Sequence, residues 1–452
     1  MSTATTFAFA DFTISDSRRE VFFDYCVSFS DDRSLNFQEK ILFPVDLPDL
    51  PVIVKLLQAL HIGLGISYYK AFLPPKFELE QPLSTKEAAF WNTTYLHGLG
   101  EFLYTNQLDP SRLASFQAST PIDEPVAVEA TDGVILALGG GKDSIVAGEL
   151  LKQLGLNITA YVLGTGKDEG QTPAVARDMS VELLAIERTL DPVILEVNKR
   201  PDVYNGHVPI SMIFALCGLL LCAATSKRYL VVANEASASI PNTQWKGIQI
   251  NHQWSKSFTF EQDFQAFVQT TISPDLWYFS AIRPLGSVAV AKLFAEFPQY
   301  FSDFTSCNLV FRIDPAKRPN GRWCGQCPKC LSSFIILSPW IPETKLVELF
   351  GKNMLADESL RVLFQELTGQ SGHKPLDCVG TTEELLLSLN LAYAHGYYHD
   401  AALMQQVLDK KLVAGDDQTD ALADAISLGD EHAFPDALQS SLGEKLKQAL
   451  KV

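Results

Sequence analysis

Four runs of continuous apolar residues, 134–138, 158–163, 193–197 and 229–233, are separated by segments long enough for a helix. A strand with one covered face alternates apolar and polar residues, whereas one that is apolar throughout must be covered on both faces. The expected fold class is therefore α/β, with a central parallel sheet flanked by helices. At 452 residues, 47% of them hydrophobic, the chain can bury a core of that size and still carry further domains.

Residues 1–120 read as an N-terminal α+β domain. Val21, Phe23, Tyr25, Val27 and Phe29 alternate with polar or small residues, and Leu35, Phe37, Ile41 and Phe43 do so after the turn-like Ser30-Asp31-Asp32-Arg33-Ser34, which predicts a β-hairpin. Residues 52–69 carry helical apolar spacing, and Ser84-Thr85-Lys86-Glu87 is a capping box expected to open a helix running through Phe102. Residues 115–132 are rich in Ser, Thr, Pro and acidic side chains, as an exposed connection would be. The sheet domain is then expected over 130–342 and a helical C-terminal region over 343–452, where Thr381-Thr382-Glu383-Glu384 is another capping box. The longest apolar run, 208–224, contains Ser211 and falls short of the roughly 20 residues that span a bilayer, so it reads as a buried helix and no membrane partner is expected. The N-terminus shows no basic segment followed by an apolar one, so a cytoplasmic location is expected. A formal charge of −17 opposes binding to nucleic acid, which needs clustered Lys and Arg to release counterions.

Between the run 134–138 and a helical segment lies Gly139-Gly140-Gly141-Lys142-Asp143-Ser144. Glycines let a backbone approach phosphate closely, the first N–H groups of the helix face it, Lys142 adds charge and Ser144 a hydroxyl. Asp143 is suited to Mg²⁺ bridging the phosphates. The run resembles the Ser-Gly-Gly-x-Asp-Ser signature of PP-loop ATP pyrophosphatases, with Gly139 in place of the serine. That resemblance implies ATP cleavage between the α- and β-phosphates, and a parallel sheet of PP-loop type. Asn234 and Glu235 follow the run 229–233, at the carboxyl edge where open sheets bind ligands. His252 and Lys256, four residues apart, share a face if helical. Arg283, in Arg283-Pro284-Leu285, resembles a later PP-loop element whose basic residue meets phosphate.

Cys324, Cys327 and Cys330 are spaced by two residues, and Cys307 can complete a tetrahedral Zn²⁺ site. Four thiolates leave no open position, so such a zinc is structural. Lys317, Arg318, Arg322 and Lys329 make the surroundings locally basic.

The loop and the cysteine spacing together resemble 7-cyano-7-deazaguanine synthase, which is about half as long. A likeness over nearly the whole chain is to the MurL family of UDP-N-acetylmuramoyl-L-alanyl-L-glutamate epimerases. It is carried by Leu64-Gly65-Ile66-Ser67-Tyr68-Tyr69-Lys70, the glycine loop, Asn234-Glu235, 252–256, 323–330 and Asp377-Cys378-Val379-Gly380-Thr381. The resemblance implies a UDP-linked muramoyl dipeptide as small-molecule substrate, whose terminal L-glutamate is inverted while ATP becomes AMP and pyrophosphate. Candidates for the proton-transferring group are His252, Cys378 and Glu235, in that order, with Lys256 as a further catalytic residue. The alternatives are a PP-loop ligase or amidating enzyme acting on a small carboxylate, and a nucleotide-binding sensor without turnover.

Overall fold

The computed structural model describes residues 3–120, 124–164, 172–310, 318–319, 321–372, 374–412 and 419–451. Its centre is a nine-stranded sheet. Strands Trp277–Ser280, Lys227–Val232, Thr131–Ala137, Ile158–Gly164 and Glu182–Thr189 run parallel in that order. The sheet then turns antiparallel through Ser34–Leu42, Glu20–Phe29 and Ala4–Ile14, and Phe77–Leu79 closes the far edge parallel to the last of these. The parallel sheet expected from the apolar runs is thus one half of a larger mixed sheet.

The hairpin of 20–29 and 34–42 forms as expected, with Val21, Phe23, Tyr25 and Val27 buried along one face. It does not close a sheet of its own: Lys40, Ile41 and Leu42 pair with Thr189, Arg188 and Glu187, so segments 1–120 and 130–342 share one sheet. Helices Pro51–Tyr69 and Ile210–Ala224 pack together over one face. Lys142–Gln153, Thr172–Met179 and Ser287–Ala295 cover the other, with Pro328–Leu337 and Thr382–Ala394 packed beyond them. Pro51–Tyr69 is apolar and long enough to cross a membrane, but 83% of its apolar window is buried inside the protein, as in a core helix. Beyond Ser280 the described residues form helices and loops only.

Two expectations need correction. Residues 193–197 are not a strand: Pro192–Val197 is a helix. Proline has no N–H for a sheet ladder but suits the first turn of a helix, and the Asp191 carboxylate caps that turn by accepting from Val193 N at 2.7 Å. The strand is Glu182–Thr189, where Leu184, Ile186 and Arg188 alternate inward. The helix opened by the Ser84 capping box runs Thr85–Gly98, and after Leu99 a second short helix, Gly100–Thr105, sets off. That break turns Glu101 toward the site described below.

Where the two sheet halves meet, the Arg188 guanidinium donates to the fully buried Glu39 carboxylate and, at 3.1 Å, to Ser67 Oγ. Removing one partner of a buried pair strands the other charge, at a cost of about 3–5 kcal/mol. Glu39→Ala is therefore expected to lower the unfolding free energy by about that amount in urea titration, whereas Arg19→Ala, which breaks the exposed pair with Asp46, should shift it by less than about 1 kcal/mol.

Candidate active site

The strand Thr131–Ala137 has Ile158–Gly164 on one side and Lys227–Val232 on the other. The chain leaves it in one direction and later returns to its opposite flank. The loops beyond 137 and 232 therefore diverge, and the crevice between them is the place where open α/β sheets bind ligands. The glycine loop and Asn234-Glu235 occupy it. Gly140 has φ +76°, a left-handed conformation that disfavours side chains, and its carbonyl accepts from Thr305 N at 3.0 Å. Gly141 is the N-cap of Lys142–Gln153 and offers no capping side chain, so the first N–H groups of that helix remain open to a ligand. A Cβ on Gly141 would lie 3.3 Å from Ser306 Oγ, which keeps the position small.

Lys142 Nζ bridges the Asp143 carboxylate and Glu235 Oε2, the latter at 3.3 Å. Burial opposes the lysine charge, but Asp143 and Glu235 outweigh it and hold the pKa above its ordinary value. Glu235 is buried too, yet Lys142 and hydrogen bonds from Ser287 and Ser237 keep it ionised, below the usual carboxylate range. Ser144 Oγ donates to Gly141 O at 3.1 Å, inside the turn.

Lys256, Lys329 and Cys378 line the same cleft as Lys142, Asp143, Asn234 and Glu235. Lys256 Nζ lies 3.7 Å from Cys378 Sγ. On the other side, His252 puts a ring nitrogen within 4.8 Å of that sulfur, while its Nδ1 is hydrogen-bonded to Glu101. Burial alone would raise the thiol pKa; Lys256 and Lys329, then His252, outweigh it and bring Cys378 down to about 6. Burial likewise pushes His252 down, but Cys378 and Glu101 raise it to about 10. Each group thus favours the charged form of the other, thiolate beside imidazolium. His207 lies 4.6 Å from His252, ring centre to ring centre; burial and the neighbouring imidazolium lower it to about 4, so it is neutral.

Cys307, Cys324, Cys327 and Cys330 converge, all four sulfurs within 4.8 Å of one another. The pairs Cys327–Cys330 and Cys324–Cys330 are 3.5 and 3.6 Å apart. Sulfurs bound tetrahedrally to zinc at about 2.3 Å would be about 3.8 Å apart, so the set suits that ion.

A model of the MurL N-terminal domain matches residues 1–281, and one of the MurL C-terminal domain matches 303–422. The chain belongs to the MurL family. The UDP-N-acetyl-alpha-D-muramoyl-L-alanyl-L-glutamate epimerase of Micromonospora sp. is 34% identical over 413 residues, 89% of this chain and 90% of that protein. Its namesake in Xanthomonas oryzae pv. oryzae is 35% identical over 399 residues, 84% of both chains. That of Salinispora tropica is 33% identical over 413 residues, 89% of this chain and 88% of its own length.

In this MurL chain the fold brings most of the expected site residues together. Lys142 and Asp143, at the end of the glycine loop, line one part of the cleft with Asn234 and Glu235; His252, Lys256 and Cys378 form a second cluster beside them. His252 and Lys256 do not share a helix face: only 254–256 makes a single 3-10 turn, and both side chains reach Cys378 from either side of it. Arg283 requires correction. It is fully enclosed, with Nε and Nη2 donating to Glu261 Oε2 at 2.8 and 2.7 Å, Nη1 to Glu235 O at 3.0 Å and Nη2 to Lys256 O at 2.7 Å. These contacts engage all three guanidinium nitrogens, so Arg283 positions the site rather than meeting phosphate. Of the basic residues near the cysteines, Lys329 lines the cleft, Arg322 pairs with Asp303 at 3.7 Å, and Lys317 lies outside the described residues. Sequence reasoning missed Glu101 and His207. Nothing local marks them, since Glu101 is 151 residues from its partner His252. A larger cavity, lined among others by Phe9, Phe12, His61, Pro82, Trp91 and Phe267, contains none of the residues of this cleft.

Arg283→Met leaves Glu261 buried without its partner and frees two backbone carbonyls. A loss of about 3–5 kcal/mol of stability is expected in chemical denaturation. A variant as stable as the parent, defective only in binding nucleotide, would return Arg283 to the phosphate site.

Proposed function

We propose that this chain inverts the terminal L-glutamate of UDP-MurNAc-L-Ala-L-Glu to D-glutamate through an adenylated carboxylate, with ATP cleaved to AMP and pyrophosphate. Its MurL relatives carry the name of that epimerase, and the observation that carries the mechanism is the placement of the Cys378 cluster in one cleft with the glycine loop. The glycine loop and the open helix N-terminus suit the phosphates of ATP, with Lys142 compensating charge; the reading is a PP-loop site. Asp143, whose carboxylate is 38% exposed beside that N-terminus, suits Mg²⁺, which would neutralise charge on the departing pyrophosphate.

The glutamate α-carboxylate oxygen attacks the α-phosphorus and pyrophosphate leaves. A free carboxylate resists loss of the neighbouring proton, because the product would carry two adjacent negative charges; the acyl-adenylate lacks that charge. The Cys378 thiolate takes the α-proton, leaving an enolate, and a solvent proton delivered by water to the opposite face gives the D-centre, the thiol later losing its proton to solvent. Water then releases AMP. His252, first among the sequence candidates, is protonated beside Cys378 and so cannot begin as the base. Lys256 holds the thiolate, and Glu235 belongs to the phosphate side through Lys142. A small-molecule substrate, with neither nucleic acid nor membrane as partner, fits an acidic cytoplasmic enzyme. The four-cysteine cluster is proposed to hold a structural zinc.

Incubation with the UDP-linked dipeptide, ATP and Mg²⁺ in heavy water should give D-glutamate with deuterium at Cα on chiral and mass analysis, and none with an ATP analogue uncleavable between the α- and β-phosphates. Exchange without cleavable ATP, or a product of altered composition, would overturn the reading. Cys378→Ala should reduce inversion by about 10²–10⁴-fold, the usual contribution of a general base, while substrate-dependent ATP–pyrophosphate exchange persists.

For the cysteines, elemental analysis should find stoichiometric zinc, and Cys327→Ser should lower both metal content and the thermal midpoint. Absence of zinc with all four thiols freely titratable would rule the site out.

A further inference from the structure

We infer that Glu101, contributed by the N-terminal segment, is the positioning residue of a Glu101–His252–Cys378 relay: it accepts the hydrogen bond from His252 Nδ1 and thereby holds the ring with its other nitrogen free for the sulfur. An imidazole has two distinct nitrogens, and the partner of one fixes the task of the other. His252 Nδ1 meets Glu101 Oε2, and a ring nitrogen of the same imidazole lies within 4.8 Å of Cys378 Sγ. The Glu101 carboxylate is only 14% exposed, so its charge acts with little screening by water.

Both partners are held from outside the relay. The backbone N–H of His252 donates to Asn242 Oδ1 at 2.9 Å, and Asn251 Nδ2 donates to Ala238 O at 2.9 Å. Trp254 stacks on His97, the rings 5.8 Å apart and 20° from parallel, which ties this loop to the helix preceding Glu101. His207 lies over the pair, with Nδ1 3.9 Å from Glu101 Oε2. Its segment is anchored by Lys70 Nζ, which donates to Asn205 Oδ1 at 3.0 Å, and by Asn106 Nδ2, which donates to Asn205 O at 3.1 Å. A direct Glu101–His252 hydrogen bond leaves no space for an ion between them, so the geometry favours a proton relay over a metal site built from Glu101, His207 and His252.

The charged and titratable groups around His252 are Glu101, His207, Lys256, Asp377 and Cys378. The Asp377 carboxylate has one oxygen within 4.8 Å of a His252 ring nitrogen, but its oxygens already accept from Asn308 Nδ2 at 2.6 Å and from Cys378 N at 2.7 Å, so both are engaged by other donors. Loss of the Glu101 carboxylate therefore removes the partner that holds the ring in place. A ring free to swing away from the sulfur takes its positive charge with it, so the thiolate loses a cationic neighbour and the Cys378 pKa rises.

The test reads Cys378 alkylation by iodoacetamide against pH in the full-length protein, with Cys378→Ala to subtract the other thiols. In Glu101→Gln the reactivity profile should move up by about one pH unit, the lower end of the shift expected when a charged neighbour within about 4–6 Å is lost. Inversion should fall at least about tenfold with ATP–pyrophosphate exchange retained. Glu101→Asp keeps the charge and should restore most of the profile, and it carries the test if the amide variant does not fold. Both variants alkylating on the parent profile, or exchange falling in step with inversion, would overturn the proposal. The kinetic arm rests on the epimerase reading, whereas alkylation needs no substrate. A shifted profile in a protein that inverts nothing would sink that reading and leave the relay standing.

Discussion

The site hangs on one enclosed guanidinium. Arg283 makes no contact with solvent, and its nitrogens hold Glu261, the carbonyl of Glu235 and the carbonyl of Lys256. Glu261 Oε1 accepts in turn from Ser280 N at 3.0 Å, which ties the helix Phe258–Phe267 to the edge strand. A buried charge is tolerated only when it is paired and its remaining donors are satisfied. A planar fork can meet two carbonyls and a carboxylate at once, which a lysine ammonium does less well. Through this one side chain the glycine-loop side of the cleft, at Glu235, and the thiol side, at Lys256, are tied to each other.

That arrangement sets two clusters side by side in one cleft. On one side stand an open helix N-terminus and Lys142, with Glu235 and Asp143 setting the position of the ammonium. On the other side 252–256 and 377–378, remote in sequence, meet at the Cys378 sulfur, and Glu101 joins them through His252. Lys142, Lys256 and Lys329 line the cleft of a chain whose net charge is −17. Asp143, Glu235 and the Cys378 thiol line it too, so the lysine charges there are locally paired rather than left as an open cationic surface.

How much of this was legible in the sequence follows from the range of each interaction. The glycine loop is readable because strand, glycines and helix start lie within one short stretch, and both capping boxes formed as their spacing requires. The hairpin was equally legible, but not its attachment to the parallel strands, because Lys40 and Thr189 are brought together only by the tertiary fold. Residues 193–197 misled by being apolar; Asp191 and Pro192 carry the helix signal just before them. Arg283 misled for the opposite reason, since sequence shows a charge but not whether water reaches it. Glu101 and His207 were invisible, because their meaning comes from His252 across the fold.

The cysteine cluster belongs to the same logic of fixing a loop from outside. A glycine-rich turn has many conformations to lose when it binds phosphate, and that entropy opposes binding unless the turn is already held. Here the hold comes from the segment leading into the cluster. Thr305 N donates to Gly140 O at 3.0 Å, Thr305 Oγ1 donates to Arg322 O and accepts from Cys307 N at 3.2 Å, and Ser306 closes over Gly141. Cys307 and Cys324 both lie at this point, and cross-linking the four thiols would restrain the segments that carry them at once. A cross-link placed there would act on the glycine loop through two hydrogen bonds and a packing contact. It needs no contact with the reacting atoms, so a closed tetrahedral site is suited to the position.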